Sequence, residues 1–120
     1  MATILAVDDS YTMRQMLAVT LQNDGHDVIQ AEDGKVALKM ARAQAFDLVI
    51  TDVYMPNMDG ITLVSELRKL PGFEGTPLLV LTTESGTDKK QAGKRAGANG
   101  WIVKPVNEAQ LIDVIRRTLG

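Results

Sequence analysis

Short apolar runs and amphipathic stretches alternate along the whole chain. Runs suited to buried strands occupy residues 4–7, 27–31, 48–51, 78–82 and 101–103. Between and after them, apolar residues recur at helical spacing: Met13, Met16, Leu17 and Leu21; Val36, Met40 and Ala41; Ile61, Val64 and Leu67; Leu111, Val114, Ile115 and Leu119. Turn-forming residues punctuate the pattern at Asn23-Asp24-Gly25, Asp33-Gly34, Pro71-Gly72 and Ala96-Gly97-Ala98. The pattern predicts a strand followed by a helix, repeated five times.

Continuous apolar strands separated by amphipathic helices predict a parallel sheet covered on both faces, because right-handed crossovers place helices there. The expected fold is α/β, a flavodoxin-like doubly wound sheet of five parallel strands in the order 2-1-3-4-5 flanked by five helices. Residues 1–120 are expected to form one domain. The fourth helix, at 87–96, is the exception to the amphipathic rule. It is mostly polar and contains Gly93, which weakens a helix by roughly 1 kcal/mol relative to alanine. Its Lys89, Lys90, Lys94 and Arg95 read as a solvated face.

Composition narrows the chemistry. The chain has 120 residues, 45% of them hydrophobic, enough for one sizeable core. Its 13 basic and 15 acidic side chains leave a net charge of -2. Binding to nucleic acid is therefore not expected, nor insertion into a membrane, since no apolar run is long enough to span one. The absence of cysteine excludes disulfides, thiol catalysis and thiolate metal ligands, and with the lack of a signal segment it points to the cytoplasm.

The candidate chemistry lies where the apolar runs end. Asp8 and Asp9 follow the first, Asp52 the third, Thr82 closes the fourth and Lys104 follows the fifth. In a parallel sheet these ends share one edge, where open α/β folds place their ligands. Three crowded carboxylates repel one another unless a cation neutralises them. Oxygen ligands without histidine or cysteine favour magnesium, which keeps phosphate oxygens in its shell. Asp52, at the end of the central strand, is then a candidate nucleophile toward phosphorus. The ion, the Lys104 ammonium and the Thr82 hydroxyl would share the charge of the transferring phosphoryl group.

The segments Asp8-Asp9, Asp52-Val53-Tyr54-Met55-Pro56-Asn57-Met58-Asp59-Gly60, Thr82-Thr83-Glu84 and Lys104-Pro105, in that order and spacing, resemble the response-regulator receiver domain. The resemblance covers essentially the whole chain. It implies Asp52 as phospho-acceptor, with Asp8, Asp9, Asp52 and the Tyr54 carbonyl as magnesium ligands. It also implies Thr82, Trp101 and Lys104 as switch residues, and a cis bond before Pro105. A sensor histidine kinase of the chemotaxis type would supply the phosphoryl group. The phosphorylated monomer would signal by binding a downstream protein such as the flagellar motor switch. A phosphate sink or a phosphorelay intermediate is an alternative role, and a haloacid-dehalogenase-like phosphatase an alternative class. Autophosphorylation and autodephosphorylation would be its only catalysis.

Two features depart from the usual receiver. Trp101 stands where chemotaxis-type receivers often carry tyrosine, and its indole offers only an N–H donor. Thr83 is bulkier than the alanine or glycine common there, and with Tyr54 and Glu84 it flanks the path of an attacking water, so slow hydrolysis is expected. His26, in the turn Gly25-His26-Asp27, is expected to be a surface residue without a role.

Overall fold

The computed structural model describes residues Met1–Gly120. Five strands and five helices alternate: β1 (Thr3–Val7), α1 (Tyr11–Asn23), β2 (Asp27–Ala31), α2 (Gly34–Ala43), β3 (Leu48–Thr51), α3 (Gly60–Arg68), β4 (Leu78–Thr82), α4 (Thr87–Ala96), β5 (Gly100–Val103) and α5 (Glu108–Leu119). All strand pairings are parallel, in the order β2-β1-β3-β4-β5. This is the expected flavodoxin-like arrangement.

Alternation along the strands divides the core in two. Leu5, Val7, Val49 and Leu78 face α2 and α3, packing with Ala37, Leu38, Leu63, Val64 and Leu67. Ile4, Ala6, Leu48, Ile50, Leu79 and Leu81 face α1 and α5, packing with Leu17, Leu21, Leu111 and Ile115. Burial of each such large side chain contributes about 1.5–3 kcal/mol. A one-residue slip of a central strand would exchange its two faces, so register is strongly specified.

The helix starts follow from capping chemistry. Ser10, Asp33, Asp59 and Asn107 each accept a backbone N–H in the first turn of α1, α2, α3 and α5, and Asn107 forms a capping box with Gln110. α4 begins at Gly86 with no side-chain cap and buries only Gly93. That glycine has a packing reason: a Cβ there would lie 2.7 Å from the Trp101 ring.

The amino ends of the strands form the floor of the molecule. His26 lies here, and the expectation of a surface residue fails. Its side chain is only 10% exposed, and Nδ1 accepts the Ala2 N–H at 3.1 Å. The sequence shows only a polar turn; Ala2 becomes a neighbour of the ring through the β1–β2 pairing, and Asp24 approaches it from within the turn. Arg68 is a second residue without a signal in the sequence. Its guanidinium donates to the carbonyls of Phe73, Thr76 and Gly97 and to the Asn99 side chain, strapping the end of α3 to the loops that lead into β4 and β5. Burial lowers its pKa, though not enough to threaten its charge.

Candidate functional site

At the opposite, carboxyl edge of the sheet, β1 and β3 deliver their first following residues side by side, since Val7 pairs with Thr51. The Asp52 N–H donates to the Val7 carbonyl at 3.0 Å, and the carboxylates of Asp8, Asp9 and Asp52 lie within 4.8 Å of one another. Ser10, not Asp9, caps α1, accepting the Met13 N–H at 3.2 Å. Asp9 is thus left exposed and available to a ligand.

The acids differ in environment. Asp8 is 2% exposed; its Oδ1 accepts the Ser10 N–H at 2.9 Å and its Oδ2 the Lys104 ammonium at 3.0 Å. Burial outweighs those partners and pushes its carboxyl above the usual range. Asp52 is half-buried; Oδ1 accepts the Val53 N–H at 2.7 Å, and Oδ2 lies 3.4 Å from Lys104 Nζ. Lys104 is therefore shared between two acids. Its backbone N–H is anchored on the Thr82 carbonyl at 2.7 Å, and the bond to Pro105 is cis.

α3 begins immediately behind Asp52, where Gly60 donates to the Val53 carbonyl. A Cβ at Gly60 would sit 1.8 Å from the Asp52 carbonyl oxygen, so only glycine allows the helix to start this close. On the other side of the loop, Asn57, at φ 70°, donates to Asp33 at 2.9 Å. The loop carrying Asp52 is thus tied at both ends.

Thr82 is fully buried at the end of β4, and its hydroxyl accepts the Glu84 N–H at 3.3 Å. No hydrogen bond joins that hydroxyl to the side chains of Asp52 or Lys104. Glu84 forms the rim. Its carboxylate accepts from the Tyr54 hydroxyl and, at 2.8 Å, from the Gly86 N–H, while its carbonyl accepts the Trp101 indole N–H at 2.9 Å. The shared proton lowers the Glu84 pKa and raises that of Tyr54. Trp101 lies under α4 against Gly93, with its indole N–H on the Glu84 carbonyl. The structure thus brings Asp8, Asp9, Asp52 and Lys104 into one cluster, puts Tyr54 and Glu84 at its rim, and leaves Trp101 a loop's width away. The sequence placed Tyr54 and Glu84 beside the site, but not in contact; a bond between residues 30 apart carries no periodic signal.

A five-stranded parallel α/β sheet carrying this acid–lysine cluster is the architecture of a signalling receiver. The sequence matches the response regulator receiver domain over residues 4–116, and the chain belongs to that family, the receiver domains of two-component response regulators. It is 36% identical over 119 residues to protein PilH of Pseudomonas aeruginosa, covering 99% of this chain and 98% of that one. Among solved structures, chemotaxis protein CheY4 of Vibrio cholerae superposes with a TM-score of 0.94 at 47% identity, covering 98% of each chain. The receiver domain of sensor histidine kinase PA1611 from Pseudomonas aeruginosa superposes at 0.92 with 26% identity, covering 99% of this chain and 98% of its own, and holds a magnesium ion in its active-site cleft. No helix is long and apolar enough to cross a membrane.

Proposed function

We propose that the chain is a response regulator that accepts a phosphoryl group on Asp52 from a histidine kinase and signals, in chemotaxis, by binding a target protein. The observation that carries this reading is the shared Lys104, whose ammonium reaches both Asp8 and Asp52. Such an amine has negative charge to hold beside the nucleophile before transfer, and a phosphoryl oxygen to hold after it.

The donor set fits magnesium: three carboxylates, one buried, one half-buried and one exposed, with no softer ligand nearby. Asp8, Asp9, Asp52 and the Tyr54 carbonyl would hold the ion. When bound it supplies positive charge that draws the phosphoryl oxygens toward the acids. The rest of the chemistry belongs to the chain. The Val53 N–H fixes Asp52 Oδ1, leaving the Lys104-facing oxygen as the attacking atom. Its lone pair forms the new O–P bond as the P–N bond of phosphohistidine breaks, and the electrons return to the imidazole of the donor. Lys104 then turns from the carboxylates to a phosphoryl oxygen, and Thr82 rotates away from the Glu84 N–H to donate to another.

The test is incubation with magnesium and acetyl phosphate, read by intact mass beside Asp52→Asn. The expected result is a single phosphoryl adduct requiring both Asp52 and the metal. No adduct, together with no binding of beryllofluoride, would remove the reading.

A further inference from the structure

The floor of the sheet holds a charged group that the phosphoryl chemistry does not use. His26 Nδ1 accepts the Ala2 N–H, so the neutral ring carries its proton on Nε2. Nε2 is buried and has no hydrogen-bond partner, although Asp24 Oδ2 stands only 3.7 Å away. Asp24 itself is held by the Arg116 guanidinium of α5, which lowers its pKa. Other charged groups at this floor are Asp27, exposed at the start of β2, Asp47, which accepts the Thr3 N–H at 2.8 Å, and the amino group of Met1. A groove of about 670 Å³ bounded by Met1, Ala2, His26, Asp47 and Arg116 leaves room for the ring and the chain end to move.

A second proton cannot be added to this ring without cost to one specific bond. An imidazolium donates from both nitrogens, so Nδ1–H would confront the Ala2 N–H, donor against donor. The same proton turns the idle Nε2–H toward a carboxylate that attracts it. We propose that His26 is a proton-operated pin: neutral, it holds the amino end of the chain to the start of β2; protonated, it releases the Ala2 amide and engages Asp24. Asp24 keeps its ion pair with Arg116 in both states, because a carboxylate has lone pairs for both donors. The pin lies at the end of the sheet remote from Asp52, so acidity would act on the start of β1 independently of phosphorylation.

NMR on the intact chain tests this. Nitrogen shifts of the ring at pH 8 should show Nε2 protonated and Nδ1 bare. As pH is lowered, the Ala2 amide should lose its hydrogen-bonded shift in step with protonation of the ring. Its exchange protection, normalised to an unstructured chain at each pH, should fall about fivefold, as for the loss of one hydrogen bond. In His26→Asn, whose carboxamide oxygen accepts the same N–H at any pH, the Ala2 amide should stay constant. A proton on Nδ1 at pH 8 overturns the proposal. So does a ring that titrates while the Ala2 amide keeps both shift and protection, a result readable in the native chain should the variant fold poorly.

Discussion

We propose that single side chains at the rim of the acidic cluster govern the approach of water to it. Tyr54, 50% exposed, is held across the entrance by Glu84, and Thr83 stands exposed beside Thr82. Thr83→Ala and Tyr54→Asn should each shorten the phosphoryl lifetime, by roughly fivefold where the Tyr54–Glu84 hydrogen bond is lost. The decay of the phosphorylated mass checks this, and equal lifetimes in both variants would contradict it. Asp33 offers a prediction in pH. The Val36 N–H and then the Asn57 amide lower its pKa, so its contribution is present above the ordinary aspartate range near 3.8 and is lost as pH falls below it. Asp33→Ala should therefore cost about 1–2 kcal/mol at pH 7, with a difference from the parent that shrinks as pH falls through the lowered pKa of Asp33, as urea midpoints will show. At this scale the sequence displayed residues whose position is set by where a strand ends. Asp8, Asp9, Asp52, Thr82 and Lys104 were legible on that ground, whereas His26 and Arg68 take their roles from partners brought close by the topology.

Among the elements, α4 differs from its neighbours in ways visible in its composition. Its polar sequence foretold a loosely held helix, and the missing side-chain cap and single buried residue agree. The reason for Gly93 was not legible, because it depends on the Trp101 ring arriving from β5. Alanine ordinarily strengthens a helix by about 1 kcal/mol over glycine, but at Gly93 the contact with the indole should reverse the sign, since overpacking costs about 1–3 kcal/mol. Gly93→Ala should lower Tm and shift the emission of Trp101, the only tryptophan. A rise in Tm with unchanged emission would mean that the ring yields freely.

For the molecule as a whole, sheet order and helix placement were readable because alternation of apolar runs and amphipathic helices leaves few ways to cover a parallel sheet. What no pattern conveys is the run of contacts between the rim of the acidic cluster and α4. That link runs through Glu84, which touches Tyr54 by its carboxylate, Gly86 at the start of α4, and Trp101 by its carbonyl. Movement of Thr82 toward a phosphoryl group would remove the hydroxyl from the Glu84 N–H and loosen this junction. Amide exchange with and without beryllofluoride and magnesium should change in α4, at Trp101 and in α5 around Ile112, Asp113 and Arg116. Identical exchange there would argue against two states of different stability.

The strap made by Arg68 has a mechanical consequence. It grips the Gly97 carbonyl at the carboxyl end of α4 with two nitrogens, whereas the amino end is held by a single side-chain bond, from the Gly86 N–H to the Glu84 carboxylate. A helix of ten residues so mounted is an arm about 15 Å long with its fulcrum at Gly97. Once the Glu84 bond loosens, a swing of about 10° would carry its amino tip ~2.6 Å, given that length, and scarcely move its base. Travel should therefore grow steadily from Arg95 to Thr87, so that the part of the helix nearest the phosphoryl site makes the largest excursion.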